Sequence, residues 1–354
     1  MVVKVPNEKS KSTGNEVSDD AENIQEDIPN MFGTSLHDML SNSLYKSEIK
    51  ELKQVIHGKV RDVYTLGEKQ LLFVATDRVS AYDVVLRSCI PEKGRILTAL
   101  SSFWFKKLRN ICKHHLIDTT LPSNLRQYAR ELTGRIMVVS QCRVLPIEAI
   151  VRGYIAGSAW KEYVQNGTVN GIVLRPNLKQ GQMLDTPLFT PSTKAVPGQR
   201  GTLINENLHP TQLPNIIGEK HAKEIERLSL MLYNEAHTYA LQKGIIIADT
   251  KFEFGVDEND DLILVDEVLT PDSSRFWPCH DFTNKSYSLD KQYIRDWLET
   301  HDQMGKAGVV LPEQVIQQTR QKYIQVYEQL TGNSWTEYMK EIVQKFVDNT
   351  EPTS

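Results

Sequence analysis

The stretch IIIADTKFEFGVDENDDLILVDEVLTPDSSRFW, residues 245–277, constrains the fold of this chain more than any other. Two apolar runs flank the polar segment Asp257-Glu258-Asn259-Asp260-Asp261, which is the signature of an antiparallel hairpin. Side chains alternate across a strand, so Lys251 and Glu253 share one face and Phe252 and Phe254 the other. The partner run ends in Asp266-Glu267. A register that sets Glu253 against Asp266 brings two carboxylates together beside Lys251, and a slip of one residue separates them. Paired carboxylates repel and need a cation. Mg²⁺ held by one or two carboxylates plus nucleotide phosphates is the usual arrangement around ATP. An exposed hairpin with charged edges is the alternative. The strongly apolar remaining positions, which place these charges close to a core, weigh against it. The loop that follows, Thr270-Pro271-Asp272-Ser273-Ser274-Arg275, offers small hydroxyls and an arginine suited to clamping a carboxylate or phosphate. Its Asp and Ser could instead satisfy only their own backbone.

Around this hairpin the chain reads as α+β with mostly antiparallel strands, because the regular alternation of a doubly wound sheet is missing. VRDVYTLG and QLLFVATD, separated by Gly67-Glu68-Lys69, predict two strands between residues 60 and 85. Apolar spacing predicts a helix over 97–112, and RIMVVSQCRVLPIEAIVR predicts two strands broken at Pro146. A short helix is expected at 157–165. The strongest helix spans 218–243, with Ile225, Leu228, Leu232, Ala236 and Tyr239 near one face and Gly244 as its stop. Residues 289–347 read as helices. Residues 166–215, rich in Gly, Pro, Asn and Thr, read as one long functional loop. The expected organisation is a polar, acidic and disordered tail over 1–30, an N-terminal β subdomain over 31–145, and a C-terminal α+β subdomain over 146–354.

Several classes are excluded. The net charge of −4 gives no basic field for nucleic acid. No apolar run is long enough to span a bilayer, and the N-terminus has no secretory pattern, so a cytoplasmic protein is expected. Cys89, Cys112, Cys142 and Cys279 are scattered, which argues against a zinc site or disulfide framework. There is no P-loop, no dinucleotide fingerprint, no HExxH and no GxSxG. Nucleotide chemistry would need a scaffold that lays the nucleotide between antiparallel sheets. Gly58-Lys59-Val60-Arg61 suits the phosphate-covering strand, with glycine for close backbone approach and two cations. A solvated turn would look the same.

Taken in order, a set of motifs resembles the SAICAR synthetase (phosphoribosylaminoimidazole-succinocarboxamide synthase) family in its long, fungal-type form. They are GKVRDVY at 58–64, ATDRVSAYDVV at 75–85, IPEKG at 90–94, RVLPIEAIVRGYIAGSAWKEY at 143–163, PLFTPSTKA at 187–195, IADTKFEFG at 247–255, VDEVLTPDSSRFW at 265–277 and SLDKQY at 288–293. The resemblance covers roughly residues 50–300. It implies an ATP-grasp-related fold with the nucleotide in the cleft between subdomains. It also implies ligation of 4-carboxy-5-aminoimidazole ribonucleotide (CAIR) to L-aspartate, with ATP and Mg²⁺. Carried over by position, Gly58, Lys59, Val60 and Arg61 cover the phosphates, and Val144, Leu145 and Glu148 lie along the adenine. Lys194 reaches the phosphates, and Glu253 and Asp266 hold magnesium beside Lys251. Ser80, Asp83 and Lys93 fall in the imidazole-nucleotide region. Arg152 with Ser158, and Arg275 with Ser274, form two carboxylate clamps, and Asp290 and Lys291 add a polar contact. Lys59, Lys194, Lys251 and Arg275 are the catalytic cations. The match departs at Ile204-Asn205-Glu206-Asn207, where the long form carries an HDEN-type run, so Asn205 would hydrogen-bond without supplying charge. The long 166–215 segment resembles the monomeric form.

Two other functions share parts of this set. A small-molecule kinase on a related scaffold would use the glycine loop and acidic hairpin, but would not need Arg152, Ser158 and Arg275 as carboxylate clamps. A nucleotide-binding regulator without turnover would not need Lys59, Lys194, Glu253 and Asp266 all in place.

Overall fold

The computed structural model describes residues 43–194, 206–279 and 288–348. It is mixed α/β with antiparallel sheets. The chain enters through β1 (Gln54–His57), β2 (Arg61–Thr65) and β3 (Gln70–Ala75), then a two-stranded hairpin of β4 (Arg78–Ala81) and β5 (Val84–Cys89). Helix α1 (Lys93–Leu108) follows, then β6 (Leu116–Asp118), the single turn α2 (Ala129–Leu132) and β7 (Ile136–Ser140). β1, β2, β3, β7 and β6 form a five-stranded sheet in that order.

A second sheet is built around the twelve-residue strand β14 (Ile245–Val256). Before it come β8 (Arg143–Val144), β9 (Ile147–Tyr154), helix α3 (Gly157–Asn166), the small hairpin β10 (Thr168–Val169) and β11 (Ile172–Val173), then β12 (Met183–Phe189) and β13 (Ser192–Thr193). After them come α4 (Pro214–Ile217) and α5 (Glu219–Gln242). Beyond β14 lie β15 (Leu262–Val265), β16 (Ser274–Pro278) and helices α6 (Gln292–Thr300), α7 (Glu313–Thr331) and α8 (Trp335–Asp348).

The segment 166–215 is therefore not one loop. Asn170 and Gly171 both have positive φ and close a tight hairpin, and β12 adds itself to β9. The predicted helix at 97–112 starts four residues earlier, at Lys93, and ends at Leu108. Gly94 makes that early start possible. A Cβ there would lie 2.0 Å from the Ala75 carbonyl oxygen, so the helix start packs directly on β3.

β14 shows why the hairpin alternates. Phe252 and Phe254 have no exposed surface and enter the main core with Ile225, Leu228, Leu232 and Ala236 of α5 and with Tyr323 and Val326 of α7. Asp249, Lys251 and Glu253 take the opposite face. Among the described residues, no helix is long and apolar enough to cross a membrane.

Candidate active site

Strand register assembles the first part of the site. On β14, Asp249 stands opposite Arg152 of β9 on one side and Arg275 of β16 on the other. Side chains in one cross-strand row meet. Arg152 Nη1 and Arg275 Nη1 both donate to Asp249 Oδ2, at 3.0 and 2.5 Å. Arg152 also donates to the Thr190 hydroxyl at 3.0 Å and to Ser158 at 3.4 Å. Gly157, with φ of +55°, opens α3 against this pair, and a Cβ there would lie 2.2 Å from Arg275 Nη2. Burial pulls the Arg152 guanidinium below its ordinary value even though Asp249 supports its charge. The two predicted carboxylate clamps are thus one site, with two guanidiniums on a single carboxylate. Ser274 shares a 2.8 Å hydroxyl–hydroxyl bond with Thr250.

Two residues along β14 on the same face is Lys251, which donates to Glu148 and to Glu253 at 2.9 Å each. Lys194 donates to the other oxygen of Glu253, and Ser192 donates to Glu148 at 3.3 Å. Burial works against the Lys251 charge, but Glu253, Glu148 and Asp266 together raise its pKa. Glu253 pairs with Val265 in the ladder, not with Asp266. Asp266 nevertheless reaches the same neighbourhood, because its backbone leaves the strand in the left-handed region at φ of 66°. There Arg61 donates to it, and Arg61 also lies 3.7 Å from Glu267. Burial disfavours the Asp266 charge, but Arg61, Lys251 and Lys194 hold its carboxyl below the usual range. Burial pushes the Glu267 carboxyl up, with Arg61 only partly offsetting it. His115 Nε2 sits 3.3 Å from the Asp266 carbonyl oxygen, and burial pulls that imidazole down to about 4. A neutral ring donating to the carbonyl fits this contact.

The third part lies at the loop after β15. Asp272 is shared by Lys93 at 2.8 Å and Lys291 at 3.7 Å, and Tyr323 donates to it at 3.1 Å. Burial raises the cost of the Asp272 charge, yet Lys291 and Lys93 hold its carboxyl far below the usual range.

These three parts differ in charge balance. By direct ion pairs Asp249 and Asp272 each carry two cations for one carboxylate, with Asp290 also acting on Arg275 and Glu267 on Lys291. Around Glu253 and Asp266 the count reverses. Lys194, Lys251 and Arg61 face Glu148, Glu253, Asp266 and Glu267, three cations against four carboxylates. A region short of positive charge suits a divalent cation, and hard oxygen donors suit Mg²⁺. Among the described residues, no three or more His, Cys, Asp or Glu side chains gather into a complete metal cage. Mg²⁺ characteristically takes one or two carboxylates and completes its shell with phosphates and water.

The remaining predicted residues are placed as follows. Gly58 and Val60 form the turn into β2, where the Gly58 N–H donates to the Arg61 carbonyl at 2.8 Å. Lys59 is exposed and ion-pairs with exposed Asp83 at 2.5 Å. Ser80 is buried on β4. Val144 is exposed on β8, whereas Leu145 is buried and spends its N–H on the Phe254 carbonyl. Lys93 has no exposed surface and sits behind Asp272. Asp290 is committed internally, accepting from the backbone of Phe276 and Gln292 and from the Ser288 hydroxyl. Asn205 lies outside the described residues. Asp249, Glu267, Asp272, His115 and Tyr323 were not singled out as site residues by the sequence. Asp249 alone carried a readable signal, being in phase with Lys251 and Glu253.

The sequence model of the SAICAR synthetase family matches residues 54–312. The chain belongs to the SAICAR synthetase family. It is 47% identical over 308 residues to the phosphoribosylaminoimidazole-succinocarboxamide synthase of Saccharomyces cerevisiae, which spans 83% of this chain and 99% of that protein. The corresponding synthase of Pichia angusta is 46% identical over 295 residues, covering 80% and 96%. Among solved structures, a SAICAR synthase from Saccharomyces cerevisiae complexed with SAICAR superposes with a TM-score of 0.75 at 46% identity, covering 83% of this chain and all of that one. A type-2 SAICAR synthetase in complex with ADP gives 0.60 at 25% identity, covering 79% and 98%.

Proposed function

We propose that this chain is the ATP-dependent ligase that joins CAIR to L-aspartate, giving SAICAR, ADP and phosphate in purine biosynthesis. The observation that carries the reading is the division of charge among the three parts of the site. Two spots, at Asp249 on β14 and at Asp272 on the loop after β15, each pair one carboxylate with two cations, whereas the region of Glu253 and Asp266 has more carboxylates than cations. Anionic substrates suit the first two, and a metal–nucleotide suits the third. A kinase would leave the Arg152–Asp249–Arg275 row without an occupant.

The chemistry follows from what a carboxylate lacks. It is a poor acylating agent until one oxygen becomes a leaving group. A CAIR carboxylate oxygen attacks the γ-phosphorus of ATP and ADP departs. The aspartate amine then attacks the carbonyl carbon, the bond to the phosphate oxygen breaks, and the amine loses a proton. No protein nucleophile is needed. Mg²⁺, held by Glu253 and Asp266, would neutralise phosphate charge. Lys194, Lys251 and Arg61 lie where transferred charge develops, with Lys59 on the exposed turn above. Residues 144–148 would line the adenine, and Arg152, Ser158, Ser274 and Arg275 would hold a substrate carboxylate. The reading includes kinship with ATP-grasp folds and a nucleotide cleft between the two subdomains.

Isotope transfer tests this route. CAIR labelled with ¹⁸O in its carboxylate should release inorganic phosphate carrying one ¹⁸O per turnover. Unlabelled phosphate accompanied by product would remove the acyl phosphate from the account.

A further inference from the structure

Helix α7 begins at Glu313, beyond residue 312 where the family match ends, yet three polar side chains within one turn of it reach the walls of the site. Arg320 Nε donates to Glu92 at 2.6 Å, next in sequence to Lys93, and Trp335 Nε1 donates to the other oxygen of Glu92. Lys322 donates to the Ser288 carbonyl at 2.9 Å. Tyr323, which has no exposed surface, donates its hydroxyl to Asp272 Oδ1 at 3.1 Å.

The last contact is the informative one. Asp272 Oδ2 faces Lys93 at 2.8 Å, while Oδ1 faces both Tyr323 and Lys291. Lys291 stands 3.7 Å from that oxygen, inside ion-pair range but beyond a hydrogen bond. Its side chain is 12% exposed, against none for Lys93, so Lys291 is the member of the pair that faces outward. The phenol takes one acceptor position on the oxygen nearest Lys291 and competes with its ammonium there.

We propose that Tyr323 is a positioning residue for substrate binding. By donating to Asp272 Oδ1 it holds Lys291 away from full pairing, leaving its ammonium available to the anionic imidazole nucleotide. This rests on the ligase reading above. Without the hydroxyl, Oδ1 would draw Lys291 into a direct hydrogen bond and withdraw it from the ligand.

Steady-state kinetics of Tyr323→Phe tests the inference. We expect the KM for CAIR to rise about tenfold, equivalent to about 1.4 kcal/mol, while the KM for ATP and kcat stay within about twofold and Tm holds. Tyr327→Phe, one turn along the same helix and without a contact to Asp272, should leave all constants unchanged. In a Lys291→Met background, Tyr323→Phe should no longer change the KM for CAIR. An unchanged KM for CAIR, equal rises for CAIR and ATP, or a full effect in the Lys291→Met background would each overturn the inference. Failure of the wild-type protein to form SAICAR would instead overturn the ligase reading, so the two are distinguishable.

Discussion

Glu253→Gln should lower SAICAR formation by at least about 10³-fold, the scale lost when charge stabilisation at a reacting centre is removed. The substitution keeps the shape of the side chain and both oxygen-sized positions. It removes the one carboxylate that Lys194 and Lys251 share, and it takes a negative charge from the region assigned to magnesium. The fold should survive, because Lys251 keeps Glu148 at 2.9 Å and Lys194 is about one-third exposed and can turn to water. Turnover measured at raised Mg²⁺, with Tm from calorimetry as the control for folding, gives the answer. Near-normal turnover would remove Glu253 from the metal assignment.

Asp249→Asn should produce the largest loss of stability. Arg152 and Arg275 are both largely buried and both donate to the same Asp249 oxygen. Removing one partner of a buried ion pair typically costs about 3–5 kcal/mol, because the remaining charge is left uncompensated. Here two cations lose their shared partner at once. We expect a stability loss of about that size in urea unfolding, together with a loss of activity. A substrate carboxylate entering between the guanidiniums would replace the missing charge. CAIR or aspartate should therefore raise the Tm of the variant more than that of the wild type. A variant as stable as the wild type would show that Asp249 does not hold the two arginines.

These two residues also show how far the sequence could be read. Alternation along β14 placed Lys251 and Glu253 on one face, and Asp249 falls on the same face by the same count. The row Arg152–Asp249–Arg275 was not legible, since it needs the registers of β9 and β16 against β14, set by pairings about a hundred residues apart in the chain for one partner. The register of Glu253 against Asp266 was left open by the sequence, and in the ladder Val265 stands opposite Glu253. The two carboxylates still share one neighbourhood because Asp266 adopts a positive φ, a backbone turn that no side-chain pattern announces. The Asn170-Gly171 turn was readable, since that dipeptide between β-branched residues is the strongest short hairpin signal. It was obscured by the loop-like composition around it. Tyr323 had no local signature at all. Its contact with Asp272 arises only where α7 packs behind the loop that carries that residue.

The central claim is that one site couples ATP cleavage to the joining of two acids. The most direct measurement is ADP release with ATP and Mg²⁺, each co-substrate being withheld in turn. Sustained ADP release should require both CAIR and aspartate, with one SAICAR formed per ADP. ADP released equally fast without aspartate would contradict ligase chemistry at this site.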